Sequence, residues 1–292
     1  MYLPNLKRYV KAKSLEEALE LLLTFGEKAK IIAGGTFIYQ MAERGLLKDL
    51  EVLIDLEDLG LNYIKFQDDG IYIGALATYR DIINEEKLRR PETASIYKAA
   101  KSISTMQIKN VGTIGGAISI SLPYLDLPIA LCSLNAKLRI KSSRGERTVE
   151  IRDFYKDYLK PGMESDEILV EVIIPIRKRN KSLSNFAKFG RTKFDFALVN
   201  TSVNLVLDEE GRIEEATIAF GNIDRTPLIE EKVVKLMKGR EFNEEVINEV
   251  AKEVPSIEPY ESPQAPSWFK RKVCKVLLRD CLMEVFNSRG IK

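Results

Sequence analysis

Two short glycine-rich turns constrain this chain more than any other feature. One reads AGGT at residues 33–36; the other reads GTIGGA at 112–117, inside an apolar run. Glycine loses more backbone entropy on folding than any other residue, so paired glycines weaken a helix or strand. They suit a turn whose successive N–H groups converge on one point, or a place where the backbone approaches a ligand without Cβ interference. Thr36 and Thr113 add a hydroxyl to each turn. A helix is expected directly after the first turn, and its N-terminal dipole favours a phosphate there. Neither turn matches G-x-x-x-x-G-K-[ST] or G-x-G-x-x-G, so a dinucleotide fold here is not of Rossmann type. The turns lie about 80 residues apart. Singly, each also reads as a plain tight turn; together they read as a pyrophosphate held from two sides.

The surrounding pattern alternates helix and strand. SLEEALELLLTFG at 14–26 reads as a helix with Ser14 as N-cap, Glu17 as its capping-box partner and Gly26 as its stop. AKIIAGGT reads as a buried strand entering a turn, FIYQMAERGLL as a helix and EVLIDL as a strand. A hairpin is expected to turn at Asp69-Gly70 and a second at Arg144-Gly145. Thr78 caps a short helix before Pro91, residues 92–102 read as a helix, and 125–134 as an apolar helix, with a loop at 110–119. DEILVEVIIP is a strand closed by Pro175. IRKRNKSLS (176–184) reads as a solvated basic connector; no aromatics interleave with its charges, which argues against a nucleic-acid patch. A β-rich stretch with a hairpin at Glu210-Gly211 follows, then helical segments in 228–253 and 267–287.

Composition removes several function classes. The 292 residues contain no histidine, which excludes Ser-His-Asp and Cys-His catalysis within this chain and the commonest metal ligand. Three cysteines cannot build a four-cysteine iron–sulfur or zinc site. Cys274 and Cys281 lie about 10 Å apart if helical, too far for a disulfide. Redox chemistry would need an organic cofactor. A net charge of +2 gives no bulk signal for nucleic acid. No run is long enough for a membrane span, and the N-terminal residues lack the apolar core of a signal peptide, so a cytoplasmic protein is expected.

With AGGT and NVGTIGGA in this order, the chain resembles the FAD-binding (medium) subunit of the molybdenum hydroxylases: carbon monoxide dehydrogenase, xanthine dehydrogenase and aldehyde oxidoreductases. LIDL at 53–56, IGALATY at 73–79, DLP at 126–128, DEIL at 166–169 and IAFGNIDRTP at 218–227 fall in the same order, so the resemblance covers nearly the whole chain. It implies an α+β architecture: two small α/β subdomains clasping FAD, then a C-terminal α+β domain with a three-stranded antiparallel sheet. The corresponding boundaries are 1–175, divided at about 56/57, and 176–292. It also implies an electron-transfer flavoprotein in a heterotrimer or a dimer of heterotrimers. A small subunit would carry [2Fe–2S] clusters and a large subunit molybdopterin.

The resemblance extends to single positions. Ile31, Ile32, Ala33, Gly34, Gly35, Thr36, Phe37 and Ile38 match the first FAD loop; Thr113, Ile114, Gly115, Gly116 and Ala117 match the second. Asp126 matches an acidic position on the flavin side, and Leu169 an apolar one near the isoalloxazine. Lys188 matches a lysine near the ring, and Ile103 a position where relatives place an aromatic. Two positions depart: Ala117 stands where Asn or Ser is usual, and Phe37 where a polar residue is common. Losing the side-chain hydrogen bond at Ala117 is worth roughly 0.5–1.5 kcal/mol. Asp126 also reads as an N-cap and Lys188 as the solvent face of a strand. Two other functional readings stay open, a self-contained flavin oxidase or reductase and a flavin-free binding or scaffold protein. No metal ligand or acid–base catalytic residue is assigned to this chain.

Overall fold

The computed structural model describes residues 3–103, 105–176 and 181–288. Its first unit is a parallel sheet of Arg8–Lys11 (β1), Ala29–Ile32 (β2) and Val52–Asp55 (β3) in the order β1-β3-β2. Helix Leu15–Phe25 (α1) connects β1 to β2, and Thr36–Glu43 (α2) connects β2 to β3. The ends of α1 fall where the caps direct. Ser14 Oγ accepts from Glu17 N at 3.1 Å, the Glu17 carboxylate accepts from Lys13 N, and Gly26 at φ 52° ends the helix.

The second unit is an antiparallel sheet of Ile64–Phe66 (β4), Gly70–Gly74 (β5), Lys137–Ser142 (β6), Gly145–Glu150 (β7) and a later central strand, Ile168–Pro175. Between β7 and that strand, Tyr155–Asp157 (β8) and Lys160–Pro161 (β9) pair as a small hairpin, so the central strand is β10 and the order is β4-β5-β10-β6-β7. Five helices separate β5 from β6: Tyr79–Asn84 (α3), Ala94–Ser102 (α4), Met106–Val111 (α5), Ile114–Ser119 (α6) and Asp126–Ser133 (α7). A further turn of helix, Ile151–Phe154 (α8), follows β7. The expected loop at 110–119 is therefore two short helices with a break at Gly112-Thr113, because Thr105 and Thr113 each cap a new helix through the side-chain oxygen.

The third unit contains Lys181–Phe189 (β11), Val199–Leu207 (β12), Ile213–Gly221 (β13) and Leu228–Ile229 (β14), with helices Glu231–Met237 (α9), Glu244–Val250 (α10) and Ser267–Ser288 (α11). Its antiparallel sheet has four strands where three were expected. The fourth is two residues long and pairs only with Ala219 and Phe220. Such a strand shows no alternation, and Pro227, which lacks an N–H, sits beside it at the sheet edge, where proline is tolerated. The expected connector at 176–184 is also shorter than its composition indicates. Residues 177–180 lie outside the described residues, and Lys181–Ser184 already pair with Leu207–Asn204.

The third sheet is covered on both faces. Phe186 and Ala219 join the core beneath the second sheet, whereas Val199, Val203, Leu205 and Phe220 pack with α9, α10 and α11. Several polar groups trapped in these interfaces are paired across them. Ser133 Oγ and Ser202 Oγ lie 2.6 Å apart, and Ser184 Oγ accepts from Ser95 N at 3.1 Å. Asn185 accepts from Lys98 Nζ at 2.7 Å and donates to Cys281 O at 2.9 Å and to Glu284. All three cysteines are free and buried, and burial pushes the Cys132 thiol up to about 12.

Asn185→Leu is expected to destabilise the chain by about 1–3 kcal/mol for each buried group left unpaired, chiefly the Cys281 carbonyl. Urea unfolding followed by circular dichroism measures the loss. A change below about 0.5 kcal/mol would mean that this network carries none of the join between the units.

Candidate functional site

The two glycine turns touch. A Cβ on Gly34 would stand 1.6 Å from the Val111 carbonyl oxygen and 2.4 Å from its carbon, so only glycine lets the first turn lie against the end of α5. The second turn is held in the same manner from its other side. A Cβ on Gly115 would meet the Cβ and the carbonyl oxygen of Ala75, each at 2.7 Å. Gly115 N donates to Ala75 O and Ile114 N to Ala77 O, both at 2.9 Å, while Thr78 and Thr113 form an isolated bridge. Gly34 and Gly115 thus make room for neighbouring backbone.

Between the turns runs a cleft of about 630 Å³, inside the range of ordinary ligand sites, about 300–1,000 Å³. Ile31, Ala33, Gly34, Gly35, Thr36, Phe37, Ile38, Ile103, Thr113, Gly115, Gly116, Ala117, Asp126, Leu169 and Lys188 all line it. Ile32 and Ile114 do not. Ile32 packs beneath Gly35 and against the small core under α2, and Ile114 is fully buried in the main core.

The turns offer different chemistry. Gly35 adopts the left-handed conformation (φ 68°) as the N-cap of α2 and provides no capping side chain. The amides of Thr36, Phe37 and Ile38 therefore have no acceptor within the helix and face an anion-favouring dipole. In the second turn the amides of Ile114, Gly115 and Gly116 are already bonded, to Ala77 O, Ala75 O and Thr113 Oγ1. This turn is not an amide nest; it contributes the hydroxyl of Thr113 and the bare α-carbon of Gly116. A Cβ there would meet only Thr113 Oγ1, at 3.0 Å. A dinucleotide fits this set, with phosphate at α2 and a closely packed backbone opposite.

At the other end of the cleft Asp126 gathers three donors. Its Oδ2 accepts from Lys188 Nζ at 2.9 Å and from Ser102 Oγ at 2.6 Å; its Oδ1 accepts from Asn200 Nδ2 at 2.7 Å. The residue is only 2% exposed. It is not an N-cap, because α7 begins at Asp126 and Leu125 holds the cap position. Nor is Lys188 a solvent-facing strand residue, since its side chain is 13% exposed and spans from β11 to the carboxylate. One carboxylate thus joins α4, α7, β11 and β12.

Other lining residues carry no local signal. Tyr124 packs on Phe196 with ring centroids 4.8 Å apart, and Phe194 stands at the rim. Behind them lies Asn222, from the GNIDRTP stretch, at φ 63°. It accepts from Tyr260 Oη, donates through Nδ2 to Ala197 O at 2.9 Å and Leu198 O at 3.1 Å, and donates through N to Pro123 O at 2.9 Å. Its carbonyl accepts from the buried Lys270 Nζ at 2.9 Å. Burial pushes Lys270 down to about 8. Asn222 therefore ties the segment before Asp126 to the segment after Phe196.

Comparison with known proteins places this geometry among flavoproteins. Residues 5–177 match the model of the FAD binding domain in molybdopterin dehydrogenase, and 184–285 match the CO dehydrogenase flavoprotein C-terminal domain. The glyceraldehyde dehydrogenase medium chain of Sulfolobus acidocaldarius is 31% identical over 98% of this chain and 100% of its own. The carbon monoxide dehydrogenase medium chain of Afipia carboxidovorans is 27% identical over 95% of this chain and 96% of its own. The structure of carbon monoxide dehydrogenase from Hydrogenophaga pseudoflava superposes with a TM-score of 0.91 at 26% identity, covering 98% of this chain and 99% of the matched one.

Steric roles separate the glycines. Gly34→Ala and Gly115→Ala are expected to destabilise the FAD-free chain by about 3 kcal/mol, the upper end for overpacking. Gly116→Ala should leave thermal stability unchanged or raised, since alanine is the better helix former, yet weaken FAD at least about tenfold. Calorimetry and flavin fluorescence titration measure the two effects. Equal stability losses at all three positions would refute the division.

Proposed function

The chain belongs to the FAD-binding medium subunits of the molybdenum hydroxylases, and we propose that it is the electron-transfer subunit of such a complex. Electrons would arrive from [2Fe–2S] clusters on a small partner and leave for an external acceptor; the substrate would be hydroxylated at molybdopterin on a large partner. A heterotrimer or dimer of heterotrimers in the cytoplasm is part of the proposal. Residues 1–175 would form the FAD-binding part and 176–292 the C-terminal domain. The relatives are dehydrogenase subunits, which makes this chain part of an oxidoreductase. Their substrates differ, as the names glyceraldehyde, carbon monoxide and nicotinate dehydrogenase state.

The observation that carries this reading is the cleft itself, with free helix amides at one end and the Asp126–Lys188 pair at the other. FAD, when bound, supplies the reversible uptake of electrons; the chain positions it. The amides of Thr36–Ile38 would take the pyrophosphate. Gly116 would let the backbone approach it, and Ile103 and Leu169 would supply apolar surface for the ring. Lys188 would stabilise negative charge on the reduced ring electrostatically. Asp126 holds that ammonium in place.

The purified chain is expected to bind one FAD and to oxidise neither aldehydes nor purines until its partners are added. Turnover by the chain alone would favour a self-contained flavoenzyme; no flavin binding at all would favour a scaffold. Asp126→Ala should cost about 3–5 kcal/mol of stability, because it leaves Lys188 buried and unpaired. It should also weaken FAD about tenfold or more, since a hydrogen bond to a charged group is worth about 1.5–3 kcal/mol. Adding Lys188→Met should restore most of the stability but not the affinity. Restoration of both would make Asp126 purely structural.

A further inference from the structure

Tyr79 is a cleft residue whose polar group neither packing nor capping explains. It opens α3, directly after the capping-box residue Thr78, and its N–H donates to Gly112 O at 3.1 Å. Its ring edge lies over Gly112: a Cβ there would stand 2.7 Å from Tyr79 Cε2 and 3.0 Å from Cδ2. The first glycine of GTIGGA thus makes room for this ring. Tyr79 lines the cleft and is only 6% exposed. Its hydroxyl makes no hydrogen bond among the described residues.

Tyrosine hydroxyls on largely buried rings normally find a partner. Phenylalanine would fill the space over Gly112 equally well, so packing does not demand the oxygen. Burial and the nearby Asp126 carboxylate both raise the phenol pKa, which keeps the group a donor at neutral pH. Asp126 also lines the cleft, at the end where the proposed function places the flavin. The acceptor is therefore sought in the ligand, on the stretch that runs from the second glycine turn toward Asp126.

We propose that the Tyr79 hydroxyl donates a hydrogen bond to an oxygen of bound FAD where the ribityl chain passes Gly112-Thr113. This rests on the FAD reading above and adds a binding residue that the glycine motifs do not include. The donor would hold the cofactor in register between the α2 amides and the Asp126–Lys188 pair.

The test is Tyr79→Phe in the full chain, with FAD titrated by flavin fluorescence and the FAD-free protein melted in parallel. Expected is an FAD dissociation constant raised about five- to thirtyfold, with the melting temperature of the FAD-free chain unchanged or higher. A purely structural tyrosine gives the opposite pattern: a lower melting temperature, with FAD bound within twofold of the parent. That result overturns the proposal. Failure of the parent chain itself to bind FAD overturns the underlying reading, and the proposal with it. The parent titration thus separates the two failures.

Discussion

The cleft depends on a contact that no side chain could occupy. Gly34 lies against the Val111 carbonyl, and Gly115 lies against Ala75. These approaches bring the turn after β2 and the turn between α5 and α6, which belong to different sheets, onto opposite walls of one groove. Steric exclusion rather than attraction defines the geometry, because interiors pack densely and the backbone has nowhere to move. Once the walls are set, Gly35 and Gly116 remain to line the cleft, one at the left-handed start of α2 and the other with no Cβ. The double glycines therefore divide in role: in each pair one residue makes room for neighbouring backbone, and the proposal gives its neighbour to the cofactor.

Electrostatics fixes the opposite end. A carboxylate that is 2% exposed is costly unless its lone pairs are satisfied, and Asp126 has Lys188, Asn200 and Ser102 around it. Two of these donors come from the third unit. The Asp126–Lys188 pair that lines this end of the cleft thus helps dock the C-terminal sheet, so the cleft and the join between units share a group. Its position in the first turn of α7 adds a favourable interaction with the helix dipole.

Local chemistry was legible. Ser14, Thr78, Gly26, Asp69-Gly70 and Arg144-Gly145 act within a few residues of themselves, and the structure places caps and turns there. The glycine turns were legible as a site but not as a mechanism, because Val111 and Ala75 are distant in sequence from the residues they constrain. For the same reason the partners of Asp126, at 102, 188 and 200, left no pattern to read. The third sheet is covered on both faces, so β12 is buried almost throughout and shows little alternation. Its two-residue fourth strand was beyond reach. Tyr79 stood in view within IGALATY, but only its place on the cleft, with no hydroxyl partner among the described residues, gives it meaning.

A crystal structure of the full chain soaked with FAD tests the two-sided cleft most directly. The pyrophosphate should lie within hydrogen-bond distance of the Thr36, Phe37 and Ile38 amides and in van der Waals contact with Gly116, with the isoalloxazine toward Leu169 and the Asp126–Lys188 pair. A cofactor bound elsewhere, or a pyrophosphate held by the second turn's amides after they leave Ala75 and Ala77, would contradict it.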